Sequence, residues 1–463
     1  MFYLYITSSR RGFSRGGVSM KCRLSRIAIR TGSVILGVVF SVYSFGGEAQ
    51  AQYRPALTKQ SSWSVLNKVT QVDGKDFLPI GIYYVSYYTN QDAQRLLDLE
   101  KIAANGFNMV ATPIDSGDKA FLDKAARLGI YTTIEFNSDP NGVISMAQGH
   151  PTRSWFLAFD DVDELKSDGT RWFPVSQVAT ETPILKAKVP GAMTLITAFS
   201  TARSKEYMGY ADTYCYQVYP IPYEPESSVT YNLKLHLASD SLYNNQVPLG
   251  CLQSYRYPNQ RMPTKLEFRS MTYQALVLGV KGLMYYTFFD ETTNLNNYPD
   301  LWAEMGRTNS EVESLKGFFL RGQRTALSTG NGQVYAAQFT WNGRTIVVAV
   351  NAFGSNSYPI TLRPTVTATG ARNVFTSRPG TLTLQNGALV GTLGPKTVSV
   401  YELTTATSTS GKTLFSVPSS STSGSVKGGS KRKLTAAQIA RQKRIARAKA
   451  LAFKRLRNQK LVR

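Results

Sequence analysis

Between residues 77 and 289 the chain repeats one unit: a short apolar run followed by a more polar stretch in which apolar residues recur at helical spacing. The runs are FLPIGIYYV (77–85), FNMVATPI (107–114), IYTTIEF (130–136), SWFLAFD (154–160), MTLITAF (193–199), ADTYCYQVYP (211–220), VPLGCLQSY (247–255) and KGLMYYTFF (281–289). Runs this short predict buried strands, and the segments between them are long enough for crossover helices, so the strands should be parallel. Leu96, Leu97, Ala103 and Ala104 share one helical face before Gly106; Phe121, Leu122, Ala125 and Ala126 do so before Gly129. Thr264 and Glu267 form a T-x-x-E capping box at the head of a further helix. Eight strand-helix units predict a (β/α)8 barrel over 60–325. A doubly wound open sheet competes, yet the glycine-rich phosphate loop that usually follows its first strand is missing.

Beyond a helical stretch at 301–321 the pattern shortens. Asn342-Gly343 and Asn386-Gly387 are hairpin turns between alternating apolar residues. Strands around Val334, 346–350, Ile360, Val374, 382–384, Val390 and 398–401 predict an antiparallel β-sandwich over 330–403. Residues 404–430 read as a Ser/Thr/Gly-rich linker, and 431–463 as a basic tail rich in helix formers.

The charge of +23 invites a nucleic-acid reading until it is located. Residues 1–51 hold seven Lys/Arg and one acid, 412–463 hold fifteen and none, and the body between them has 31 against 29. The body is thus nearly neutral, which argues against a nucleic-acid enzyme. Lys21, Arg23, Arg26 and Arg30 precede the apolar run SVILGVVFSVYSF and the small-residue site AQA ending at Ala51. That order predicts a cleaved signal peptide over 1–51 and a secreted or periplasmic protein, with no transmembrane span in the mature chain. The tail, with thirteen Lys/Arg from Lys431 onward, suits anionic polymers or lipid headgroups through counterion release. Cys215 and Cys251 leave one disulfide open, and oligomeric state is not legible.

In a barrel of this type the working groups sit at the C-terminal strand ends. Those ends carry Glu135 on the third strand; Asp160, Asp161, Asp163 and Glu164 on the fourth; Gln217 and Tyr219 on the sixth; Gln253 on the seventh; and Asp290 and Glu291 on the eighth. Two carboxyl groups across a sugar are the minimum for glycoside hydrolysis. Tyr83, Tyr84, Tyr87, Tyr88, Tyr219, Tyr223, Tyr255 and Tyr257 crowd the same rims and could stack on sugar rings. His150 and His236, the only histidines, lack paired spacing, so neither a metal nor another cofactor is expected. A serine triad using one of them has no other support. GFSRG at 12–16 follows no buried strand, and GKT at 411–413 lacks the first glycine of a phosphate loop.

The segments PIGIYYV, WFLAFDD, LQSY and PTKLEFRSMTYQALVLGVKGLMYYTF together resemble bacterial glycoside-hydrolase-like (β/α)8 barrels with a C-terminal β-sandwich, over 60–403. The resemblance implies a fourth strand ending in Asp-Glu-Pro; here Asp160, Asp161 and Val162 stand there, so the acid is one methylene shorter. It also implies a nucleophilic Glu after strand seven, where this chain has Gln253, an amide that cannot attack. The expected site therefore has Asp161 as proton donor, Asp160 orienting it, and Glu135 as second carboxylate, with Asp290 or Glu291 as the wider-gap alternative. Tyr83, Tyr219, Gln253 and Glu291 would bind substrate. The competing reading is a non-catalytic polysaccharide-binding or surface-anchored barrel.

Overall fold

The computed structural model describes residues 54–405, apart from 85–91, 115–117, 137–139, 242, 244, 291 and 379. The expected signal peptide, most of the linker and the basic tail therefore lie outside the described residues, as do Glu291, Tyr87 and Tyr88.

The chain opens with an antiparallel meander, β1 (Trp63–Leu66), β2 (Val69–Val72) and β3 (Lys75–Asp76). Both its turns run through left-handed backbone, at Asn67 and Lys68 (φ 51° and 63°) and at Asp73 and Gly74 (φ 50° and 72°). The second is an Asp-Gly hairpin signal that the sequence reading passed over. Trp63 lies edge-on to Phe77 at 5.4 Å and to Tyr131 at 4.7 Å. Tyr131 begins its strand, so the indole closes the N-terminal end of the barrel.

The barrel alternates β4 (Ile80–Tyr84), α1 (Asp92–Ala104), β5 (Met109–Ile114), α2 (Lys119–Arg127), β6 (Tyr131–Phe136), α3 (Pro140–Ala147), β7 (Arg153–Phe159), α4 (Val175–Lys188), β8 (Met193–Ala198), β9 (Thr213–Val218), α5 (Ser228–Asp240), β10 (Val247–Gln253), α6 (Lys265–Leu278) and β11 (Leu283–Phe289). All eight strands pair in parallel and in chain order, and β11 returns to β4, so the expected barrel is the observed one. One crossover departs from it: between β8 and β9 there is only a 3₁₀ turn, Ser204–Tyr207, because that stretch has no apolar repeat to bury. Period-two alternation sends Met109, Ala111, Met193, Leu195, Cys215, Leu249, Cys251 and Met284 into the interior. The intervening Val110, Ile134, Ile196, Leu252 and Tyr285 face the helices.

The capping box forms as expected: Glu267 N donates to Thr264 Oγ1 at 3.3 Å and Thr264 N donates to Glu267 Oε2 at 2.7 Å. Gly279 ends α6 at φ 101°. This helix is buried almost all round because the C-terminal domain covers its outer face. After α7 (Pro299–Ser314) and α8 (Lys316–Arg321) come β12 (Gln323–Leu327), β13 (Val334–Trp341), β14 (Arg344–Asn351), β15 (Tyr358–Leu362), β16 (Ala368–Asn373), β17 (Leu382–Gln385), β18 (Ala388–Leu393) and β19 (Val398–Thr405). They make a five-stranded sheet, β12-β13-β14-β19-β16, and a three-stranded sheet, β15-β18-β17, with an apolar core of their own. Asn342-Gly343 and Asn386-Gly387 turn their hairpins with positive φ at both residues.

Alternate residues of β13 and β14 face opposite ways, one set into the sandwich and the other, including Phe339, Ile346 and Val348, onto the barrel's helices. Phe319 meets Phe339 at 5.4 Å and Phe318 meets Trp341 at 5.6 Å. Arg378 then pairs with Glu304 and Glu311 of α7, each at 2.7 Å, and Arg269 of α6 donates to Val398 O at 3.1 Å. Shared apolar surface and buried ion pairs thus make barrel and sandwich a joint frame for the strand ends.

Candidate active site

Tyr131 of β6 belongs to the barrel interior and Ile134 to the outer layer, so alternation turns Glu135 inward near the strand's C-terminal end. On the neighbouring strand, β7 stops at Phe159 and Asp160 and Asp161 follow. Asp161 has φ 47°, a left-handed conformation that Asp tolerates better than most residues. Its N–H donates to Thr197 Oγ1 of β8 at 2.7 Å, and Val162 N donates to Thr197 O at 3.0 Å. Thr197 Oγ1 in turn donates to Asp160 Oδ1 at 2.5 Å and accepts from Gln217 Nε2 of β9 at 3.0 Å. Four consecutive strands, β6 to β9, therefore build one polar hollow at the barrel mouth.

Burial pushes the Glu135 carboxyl up to about 8, and the negative charges of Asp160 and Asp161 push in the same direction. Glu135 consequently keeps its proton at neutral pH. Tyr83 of β4 reaches the same place: its phenol is raised well above its ordinary value, first by burial and then by the neighbouring Cys251, Asp160, Cys215 and Glu135 groups. Its hydroxyl is buried without a hydrogen-bond partner among the described residues. An orphaned phenol beside a protonated Glu and a pair of Asp residues suits a hydroxyl-bearing ligand.

The acid-rich stretch of the fourth strand end divides by function. Asp160 and Asp161 act on Glu135, whereas Asp163 is fully buried and accepts from Phe199 N at 3.2 Å and Ser200 N at 2.7 Å. Burial raises Asp163 to about 7, opposed by those two backbone donors. Asp163 is thus a tie between the β7 and β8 loops.

Several expected site residues are employed elsewhere. Gln253, expected to hold a substrate hydroxyl, is fully buried, and its amide is taken by the backbone. Oε1 accepts from Ile221 N at 2.7 Å, while Nε2 donates to Ile221 O at 2.7 Å and Tyr255 O at 3.0 Å. That expectation is corrected: both amide hydrogens of Gln253 are spent on the β9–α5 and β10–α6 loops. Tyr219 lies in the wall of the mouth, its hydroxyl 3.1 Å from Cys251 Sγ. Asp290 turns back on its own loop, where Oδ1 accepts from Thr292 N at 2.8 Å and Thr293 N at 2.7 Å. Tyr84 points away, donating to Asp98 of α1 at 3.0 Å. Cys215 and Cys251 are buried free thiols and form no bridge. Ser204 Oγ and His236 Nδ1 lie 2.9 Å apart, but both residues are buried behind the strands and His236 Nε2 has no partner, so no triad is assembled there.

Two contributors escaped the sequence reading. Thr197 sits in a run whose alternation could have turned it inward, but a threonine in a strand carries no chemical signal. Tyr286 of β11 joins Tyr83 at 5.6 Å, Tyr219 at 6.0 Å and Tyr255 at 5.2 Å, and Tyr257 and the half-exposed Tyr223 continue the aromatic line outward. Among the described residues no group of three or more His, Cys, Asp or Glu is arranged to hold a metal ion.

No protein-family model and no curated protein matches the chain. Solved structures similar to it include an endoxylanase of glycoside hydrolase family 30 from Clostridium papyrosolvens, with TM-score 0.45 and 11% identity over 76% of this chain and 98% of that one. An Anoxybacillus alpha-amylase has TM-score 0.49 and 10% identity over 71% and 98%. A family 39 glycoside hydrolase from Bacteroides cellulosilyticus has TM-score 0.48 and 12% identity over 73% and 84%.

Proposed function

We propose that this protein is an exported glycoside hydrolase cleaving O-glycosidic bonds of a poly- or oligosaccharide with Glu135 and Asp160 as its carboxyl pair. The observation that carries this reading is the raised Glu135, up to about 8, next to Asp160 and Asp161 at the C-terminal mouth of the barrel. A carboxyl group that holds its proton at neutral pH is equipped to give it to a leaving glycosidic oxygen. This exchanges the roles expected from sequence: Glu135 becomes the proton donor, Asp160 the nucleophile or base, and Asp161 a flanking charge that keeps the proton on Glu135.

Neighbouring strands lie about 4.8 Å apart, which favours the short carboxyl separation of a retaining reaction. On that course Glu135 protonates the leaving oxygen as Asp160 bonds to the anomeric carbon. Water then attacks that carbon, giving its proton to Glu135 and releasing Asp160. The unpartnered Tyr83 hydroxyl is available to a sugar hydroxyl, and the tyrosine line offers ring faces for stacking. Export rests on the basic, apolar and AQA segments of the first 51 residues. The tail is assigned to anionic polymers or lipid headgroups at the cell surface.

A second reading, a non-catalytic polysaccharide-binding or surface-anchored barrel, is favoured by one observation: the end of β10 carries a structurally clamped amide instead of an acid. Glycan-array screening followed by reducing-end assays on every bound glycan separates the two. Turnover by the parent, lost in Glu135→Gln and Asp160→Asn with binding retained, supports the hydrolase. Binding without turnover by the parent supports the lectin-like barrel.

A further inference from the structure

We infer that Thr197 is a positioning residue that fixes the orientation of Asp160 and favours its ionised form, an assignment that rests on the hydrolase reading. A threonine hydroxyl has one proton and two lone pairs. Here Oγ1 receives two donors, the N–H of Asp161 at 2.7 Å and the side-chain amide of Gln217 at 3.0 Å. Both lone pairs are occupied, so its single proton has one place to go, Asp160 Oδ1 at 2.5 Å. Asp160 Oδ1 is then an acceptor, and a donor aimed at it favours the charged form of the carboxyl. Thr197 is fully buried, where its hydrogen bonds are strengthened by the low local dielectric.

The groups facing Asp160 reinforce this division of charge. Glu135 approaches from β6, Tyr83 from β4 and Cys215 from β9, and all three feel the Asp160 carboxylate. Asp161 adds a second carboxylate from the same loop, acting with Asp160 on Glu135. Asp160 itself is exposed, and the Thr197 hydroxyl adds a directed donor at 2.5 Å to one of its oxygens. The Thr197 carbonyl, bonded to Val162 N at 3.0 Å, anchors the same loop, which makes β8 the template on which the Asp160–Asp161 turn is built.

The test compares Thr197→Val, which keeps the shape and removes the hydroxyl, with Thr197→Ser, which keeps the hydroxyl. With a cleaved glycan in hand, Thr197→Val should lower kcat roughly tenfold to a hundredfold with KM nearly unchanged. The acid limb of its pH profile should move up by about one unit, because Asp160 has lost a donor to its charged form. Thr197→Ser should restore both. Parent kcat and an unmoved acid limb in Thr197→Val would overturn the assignment, as would equal losses in both variants, which would make the methyl group the cause. Should the parent cleave nothing, the hydrolase reading fails. Carboxyl 13C NMR of Asp160 then still decides this inference: an upward titration midpoint in Thr197→Val supports it, and an unchanged midpoint sinks it.

Discussion

Glu135 at the end of β6 and Asp160 at the end of β7 share one hollow, and the charge of Asp160, added to burial, holds the Glu135 proton in place up to about pH 8. Two adjacent acids resist ionising together, and it is the less exposed Glu135 whose proton is retained.

The alkaline limb of activity should therefore report Glu135. Turnover is expected to fall as pH rises through about 8, and Glu135→Gln should lower kcat/KM by roughly 10²–10⁴ while glycan affinity persists. In any Asp160 variant that retains turnover, removal of the neighbouring charge should bring that limb to lower pH. Rates between pH 5 and 10 check both points.

Stability should carry the same signature. The folded pKa of Glu135 lies above its ordinary value of 4.5, so the folded state binds the extra proton and its contribution is complete below about pH 4.5. That contribution is lost as pH rises through about 8. Glu135→Gln should consequently outlast the parent at pH 9, by a few kcal/mol at most, and lose that advantage near pH 4. Urea unfolding at the two pH values measures the difference.

Gln253 should behave as a clamp. Gln253→Glu would set a carboxylate against the carbonyl oxygens of Ile221 and Tyr255, two acceptors that now receive its amide hydrogens. It should destabilise the barrel by roughly 2–4 kcal/mol and create no new nucleophile. Thermal unfolding and turnover, measured together, check this.

The barrel–sandwich junction should be sensitive at Arg378. Its guanidinium pairs with Glu304 and Glu311, carboxylates that are only 4% and 8% exposed. Arg378→Ala leaves them short of a partner and should cost roughly 3 kcal/mol, seen as a lower urea midpoint. Glu311 keeps Arg269 and Tyr273 and Glu304 keeps Arg307, so the loss should be shared between the two carboxylates.

The buried thiols should be inert in the folded state. Burial and the neighbouring Cys251 push Cys215 well above its ordinary range, and neither side chain reaches solvent. A thiol reagent followed by peptide mapping should leave Cys215 and Cys251 unmodified until denaturant is added.

The amino-acid sequence by itself determined the eight barrel strands, the capping box at Thr264 and Glu267, the two Asn-Gly hairpins and the layered C-terminal sheets. Each of these depends on residues within a few positions of one another, through alternation, helical spacing or turn chemistry. It also placed Glu135, Asp160 and Asp161 at one end of the barrel, since strand ends in a closed parallel sheet have a common address. Tertiary structure alone decided which acid keeps its proton, that Asp163 ties two loops, that Gln253 is consumed by Ile221 and Tyr255, and that Thr197 aims Asp160. Proton affinity and hydrogen-bond allegiance depend on desolvation and on partners 20 to 40 residues away in the chain, and no local spacing encodes those distances.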